Sequence, residues 1–173
     1  MRTRTNLNEQ WTFTGPQGSA CAVDLPHTWN AVDGQDGGND YWRGTCTYEK
    51  EFAMPRFDPA VEDVYLEFAG VNASADVELN GHPVMHHDGG YSTFRGCATE
   101  LLAQENHLVV KVDNGVNDRV YPQKADFTFY GGIYRDVELV VVNKHRFSMD
   151  HFGGPGLKVT PQVAGADGGV RVG

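Results

Sequence analysis

Cysteine is scarce in this chain and badly spaced for cross-linking. Cys21, Cys46 and Cys97 form no CxxC pair, so neither a zinc site nor a complete disulfide framework can be built from them. Buried, reduced thiols are the expectation. Long apolar runs are missing as well: the longest, such as Val137 to Val142, are strand-sized and interrupted by charge, against the roughly 20 residues a spanning helix needs. The first ten residues hold no apolar stretch of the roughly 7 to 15 residues that a secretory signal requires, which argues for a cytoplasmic chain. Positive charge is short, with 14 Lys plus Arg against 23 Asp plus Glu and a formal net charge of -9. Such a balance repels phosphate backbones and anionic lipid, so nucleic acid and membranes are poor candidate partners. Helical periodicity is almost absent, which leaves β-structure.

Glycine, by contrast, is plentiful at 21 of 173 residues, and its clusters separate short runs rich in Val, Phe, Tyr and Thr. A chain of this length can bury one core. Val64, Leu66 and Phe68 alternate with Asp63, Tyr65 and Glu67. Ala75, Val77 and Leu79 do so with Asp76, Glu78 and Asn80, and the period of two recurs over Leu108 to Val112 and Val137 to Val141. Asn80-Gly81 reads as a type I′ hairpin turn, because both central residues must accept positive φ. Further strands are predicted at Trp11–Thr14, Gly44–Phe52, Ser92–Arg95, Arg146–Met149 and Lys158–Val163. Eight or more strands imply two packed antiparallel sheets, a β-sandwich. Long connections remain at Pro26–Trp42 and Asp113–Gly132, where function tends to reside. After the glycine-rich 153–156 stretch, a new alternating strand begins just before the last residue. That is the pattern of a fragment cut after its first domain.

Few residues suggest self-sufficient catalysis. The 9 Glu residues lie mostly on alternating strand positions (Glu67, Glu78, Glu138) or in charged turns, which a solvated face explains. No carboxylate pair of the kind a glycosidase needs is recognisable. His82, His86, His87 and Asp88 are the densest ligand-like group, yet adjacent His86 and His87 point to opposite faces of a strand, so hydrogen-bonded histidines are favoured over a metal. Gly89-Gly90 and Gly131-Gly132 lack the context of a phosphate loop, and no serine sits in a nucleophile elbow. The stretch from Tyr121 to Asp136 is richer. Its rings could stack on the C–H face of a sugar while Asp126 accepts hydroxyl hydrogen bonds; alternatively Phe127, Phe129, Tyr130 and Tyr134 merely plug the sandwich. Asp126, between Ala125 and Phe127, is costly to bury unless paired or aimed at a ligand. Arg135 and Asp136 read as a structural ion pair or strand-edge residues.

Five ordered blocks carry a resemblance. They are Leu25-Pro-His-Thr-Trp-Asn30, Asp40-Tyr-Trp-Arg-Gly44, Phe68 to Gly81, His86 to Phe94 and Asp126-Phe-Thr-Phe-Tyr-Gly-Gly-Ile-Tyr-Arg-Asp-Val137. In order and spacing they resemble the N-terminal sugar-binding domain of glycoside hydrolase family 2, over roughly residues 6 to 150. The resemblance implies an all-β, antiparallel jelly-roll β-sandwich (galactose-binding-domain-like) at 1–150, followed at 151–173 by a linker and the first strand of a truncated immunoglobulin-like second domain. It also implies a parent enzyme of β-galactosidase or β-glucuronidase type, β-galactosidase preferred, whose retaining acid and nucleophile, both Glu, lie in a downstream (β/α)8 barrel. This chain alone is then inactive.

By the same resemblance Asp126 matches a position that hydrogen-bonds the terminal sugar, and Asn30 or Asp33 matches a second polar position facing it. No cofactor is expected in the fragment, with room for a sodium or magnesium ion in the full-length enzyme. The expected partners are the terminal β-linked sugar, the downstream domains of the same chain and a homo-oligomer. Two rivals stay open: a free-standing carbohydrate-binding module and a purely structural interaction domain.

Overall fold

A computed structural model describes residues 2–33, 41–122, 124–125, 127–151, 153–164 and 167–172. Twelve strands follow one another: β1 (Arg2–Asn6), β2 (Trp11–Thr14), β3 (Ala20–Val23), β4 (Thr45–Ala53), β5 (Glu62–Phe68), β6 (Ser74–Leu79), β7 (His82–Asp88), β8 (Phe94–Cys97), β9 (Glu105–Asp113), β10 (Val137–Asn143), β11 (Val159–Ala164) and β12 (Asp167–Val172). One 3-10 turn, Thr99–Leu101, interrupts them. A four-stranded sheet in the order β1-β10-β5-β8 faces a six-stranded sheet in the order β3-β2-β4-β9-β6-β7, and β11 pairs with β12. Every named pairing is antiparallel.

The expected all-β sandwich is therefore the fold, and its cause is the period of two. Val64, Leu66 and Phe68 of β5, Val77 and Leu79 of β6, Leu108 and Val110 of β9 and Leu139 of β10 all bury their side chains in one continuous core around Trp11 and Tyr48. Burying a side chain of this size stabilises by about 1.5–3 kcal/mol, so the core drives the closure of the two sheets. Asn80 and Gly81 have φ of 54° and 79°, as the predicted I′ turn demands. Among the described residues no helix is long and apolar enough to cross a membrane.

The registers fix which end of the sandwich gathers the loops. Thr45 pairs with Asp113 and Ser74 also pairs with Asp113, so the connections before β4, before β6 and after β9 emerge together. The turn at Asn80-Gly81 lies at the other end, beside Asn106 and Leu101.

Several expectations need correction. β1 and β3 escaped the pattern search because edge strands are held by their backbones: all five residues of β1 are exposed, as are three of the four in β3. The predicted strand Arg146–Met149 is no strand; it lies in the segment that crosses the outer face of the four-stranded sheet. That covering also removes Glu67 from the solvated class, since it is only 7% exposed. Cys46 is buried, but Cys21 and Cys97 are free and exposed, one on edge strand β3 and one at the end of β8. Of the two readings of Arg135 and Asp136, the strand-edge one holds, since they immediately precede β10; Arg135 lies over the Tyr134 ring and Asp136 accepts from the Asn8 amide.

Candidate functional site

Four segments meet where the loops gather: 27–33 after β3, 41–44 before β4, 113–117 after β9 and 127–134 before β10. The first and last run side by side. His27 N–H donates to Ile133 O at 2.8 Å and Trp29 N–H to Gly131 O at 3.3 Å. Glycine at 131 and 132 is what lets them approach. A Cβ on Gly131 would stand 2.0 Å from the Trp29 ring, and one on Gly132, whose φ is 137°, 2.4 Å from His27 O. Below them the His27 ring meets the Tyr48 hydroxyl at 2.7 Å. Burial pushes the His27 imidazole below its ordinary value and the Tyr48 phenol above its own.

Asn30 is the node of the assembly. Its Nδ2 donates to Asp33 Oδ2 at 2.6 Å and to Trp42 O at 2.8 Å. Its Oδ1 accepts from Gly131 N–H at 2.7 Å and Asn114 Nδ2 at 3.0 Å. Two donors and two acceptors are all an amide side chain has, and the residue is fully buried. Asn30 therefore joins three loops and has no hydrogen bond left for a ligand. Asp33 is half-buried, and its Oδ2 also accepts from Trp42 N–H at 3.2 Å. Asp126 lies outside the described residues, between Ala125 and Phe127, four positions before Tyr130.

Asn114, which the sequence reading passed over, completes the node. It donates to Phe129 O and accepts from Gly44 N–H at 2.9 Å each. Its one sequence signal is an amide immediately beyond an alternating apolar strand and before a glycine. Asn72 was likewise missed. It is buried and donates to Tyr130 O at 2.6 Å, while its backbone forms a bridge with Gly132. Arg43 is consumed in the same frame, donating to the carbonyls of Asn114 and Gly115 and stacking 4.8 Å from the centre of the Phe129 ring.

The aromatic residues divide between the two readings offered for them. Phe129 is covered by Arg43, and the Tyr134 hydroxyl donates to Gly90 O, so these two serve the scaffold. Tyr121, Phe127, Tyr130 and Tyr91 are exposed. Tyr91, Tyr121 and Val116 border a groove floored by Asn72, Arg43 and Phe129. The described part of the site is thus a rigid, hydrogen-bonded floor with an apolar, aromatic rim.

The histidine group lies on β7, the edge strand of the six-stranded sheet, and its Asp88 touches the 113–117 segment through Asn117. His86 Nδ1 meets Asp76 Oδ1 at 2.7 Å and its Nε2 meets Asp88 Oδ2 at 3.2 Å, which raises the imidazole above its ordinary value. Asp88, held mainly by Arg119 and also by Ser74, His86 and Asn117, lies well below the usual carboxylate range. His87 points the other way, stacking on Phe94 with centroids 4.2 Å apart. Among the described residues no group of three or more His, Cys, Asp or Glu side chains is arranged to hold a metal ion.

A two-sheet scaffold with one end given over to interlocked loops and exposed rings is the architecture of a galactose-binding-like module. Residues 35–151 match the family model described as the galactose-binding domain-like part of glycosyl hydrolase 2. The chain belongs to that family. A β-glucuronidase of Bacteroides fragilis is 38% identical over 162 residues, covering 91% of this chain and 23% of the relative. A β-galactosidase of Thermoanaerobacter pseudethanolicus is 30% identical over 143 residues, covering 80% of the chain and 19% of the relative. Among solved structures, an FMN-binding β-glucuronidase from Facaelibacterium prausnitzii L2-6 superimposes with a TM-score of 0.85 at 43% identity, over 99% of this chain and 27% of that one. A putative β-galactosidase from Bacteroides fragilis gives 0.82 at 34%, over 94% and 26%. The chain spans about a quarter of the length of these two solved relatives.

Proposed function

We propose that this chain is the N-terminal domain of a β-glycosidase that scaffolds a catalytic barrel and contributes Asp126 to the subsite of the terminal sugar, the catalytic Glu pair lying in the barrel. The observation that carries the reading is the asymmetry of the sandwich. One end alone combines a saturated hydrogen-bond floor at Asn30 and Asn114 with exposed rings at Tyr91, Tyr121, Phe127 and Tyr130, and Asp126 is flanked by that rim in sequence. Rings of this kind suit both the apolar face of a sugar and the wall of a second domain. Asn30 and Asp33 serve this reading as positioning residues, since their mutual bond and the bonds to residue 42 hold the floor in shape. The activity is proposed as retaining hydrolysis of a terminal β-linked sugar in the cytoplasm.

The sugar is proposed to be a β-glucuronide, with a β-galactoside as the second reading. The sequence-level preference for β-galactosidase rested on a scaffold that hosts several specificities. The support for glucuronide is that the relatives described above at 38% and 43% identity carry that name, whereas those named β-galactosidase stand at 30% and 34%.

The test is hydrolysis of nitrophenyl β-glucuronide, β-galactoside and β-mannoside by the full-length parent, wild type beside Asp126→Ala. A loss of about tenfold or more in kcat/KM on the cleaved sugar supports the subsite role, corresponding to about 1.4 kcal/mol of transition-state binding. Unchanged kinetics in a folded variant reduces the domain to a scaffold. Millimolar or tighter oligosaccharide binding by this chain alone favours a carbohydrate-binding module instead.

A further inference from the structure

The two central strands of the four-stranded sheet, β5 and β10, are buried on both faces, which a two-layer sandwich does not require. Val137, Leu139 and Val141 of β10 enter the core, yet Val140 and Val142, on the opposite face, are buried too, and so is Tyr65 of β5. These three join Met149 in a second apolar cluster outside the sandwich. The cover is the chain's own segment after β10.

Two arginines fix that segment. Arg95 of β8 turns its Nε toward the buried carboxylate of Glu67, 2.7 Å away, in a charge contact whose N–H is not aimed along the line. Its Nη2 donates to Gly153 O at 2.6 Å and its Nη1 to Gly154 O at 3.1 Å. Arg4 of β1 contacts the same Glu67 at 2.7 Å. One carboxylate therefore ties together β1, β5, β8 and, through Arg95, two successive carbonyls of the departing chain. Farther along the sheet Arg146 binds Asp63 at 2.7 Å and the Tyr65 hydroxyl at 2.8 Å, and that hydroxyl lies 3.0 Å from Asp150. Shape agrees with charge. Gly153 has a φ of 67°, and a Cβ there would sit 2.0 Å from Thr93 O. The backbone is seated where no other residue fits.

We infer that residues 146–151 and 153–156 form a latch, and that Glu67, through Arg95, locks it so that the chain leaves the sandwich in one fixed direction toward the β11–β12 hairpin. A free tether would expose its carbonyls to water, leave Val140 and Val142 wet and impose no glycine at a contact point. The latch does the reverse at each of the three. It also explains a buried glutamate that takes no part in the loop site. Its partner is an interior surface of the same polypeptide, and the inference stands whichever sugar the parent cleaves.

Hydrogen exchange on this 173-residue chain tests it. In the wild type, amides within 146–156 should exchange slowly, as those of β5 and β10 do. Gly153→Ala lies outside the sandwich and should speed exchange across the segment by about tenfold or more while β5 and β10 keep their protection, because local opening is decoupled from global unfolding. Arg95→Met should also speed exchange across the segment, but with some loss of protection in β5, where Glu67 loses a charge partner. Spin labels at Thr160→Cys and Cys97, in a Cys21→Ser background, should give one narrow distance in the parent chain and a broad one after Gly153→Ala. Wild-type amides that exchange as fast as an unstructured linker overturn the inference without reference to any variant. So does a folded Gly153→Ala chain with undiminished protection and an unchanged distance.

Discussion

Asn30 shows how burial sets what a single side chain can do. Its place in the Leu25 to Asn30 block marked it, but an amide that satisfies Asp33, Trp42, Asn114 and Gly131 at once is a structural member. Asn30→Ala leaves several buried partners unpaired and should cost about 2–4 kcal/mol, at about 1–3 kcal/mol for each group stranded; urea unfolding of the 173-residue chain measures it. His86 is a second case. Both ring nitrogens face carboxylates, so the charged form is the one that fits. Its folded pKa is raised, so its contribution is complete below the ordinary value near 6.5 and fades as pH rises through the folded value. An NMR titration should place His86 above 6.5, and Asp76→Asn should bring it down; a midpoint at or below 6.5 in the wild type refutes the assignment. Glu67, read as solvated, and Asn72 and Asn114, passed over, are all buried and share one cause. Alternation identifies which face a side chain is on, whereas burial depends on whether a distant segment later covers that face.

The elements themselves were legible wherever packing alone decides them. β5, β6, β9 and β10 announce themselves through residues that must alternate to face a core, and the Asn80-Gly81 turn through the torsions it imposes. β1 and β3 were opaque because their side chains contribute nothing to the core; pairing of their backbones with β10 and β2 creates them. The loop elements are legible only by their glycines. Gly131 is the sharpest instance, since a methyl group there collides with Trp29. Gly131→Ala should destabilise by about 1–3 kcal/mol, a fall of about 2–4 °C in Tm per kcal/mol for a domain this size. Calorimetry beside Gly18→Ala, which meets nothing within 4 Å but has a positive φ of 74° where Gly131 has none, separates collision from backbone strain.

At the scale of the whole molecule, a rigid sandwich presents one end to its surroundings and fastens its outgoing chain along one sheet. On the function proposed above, the floor and rim are half of a pocket that the remaining three quarters of the relatives' length would complete. Monosaccharide hydrogen bonds there would be exchanged for water. The chain alone should therefore bind glucuronate or galactose only above about 1 mM and turn over no nitrophenyl glycoside, which calorimetric titration and a colour assay check. The hairpin turn at the far end has a bearing on how the molecule ages. Asn followed by Gly is the pair most prone to lose ammonia, through attack of the glycine nitrogen on the asparagine side chain. Here that side chain is pinned: Asn80 Nδ2 donates to Leu101 O and Asn106 Oδ1, and its Oδ1 accepts from His107 N–H. Conversion at Asn80 should proceed only from the unfolded population, so the shelf life of the protein at this peptide bond becomes a clock for its folding stability, readable by peptide mass spectrometry after storage with and without urea.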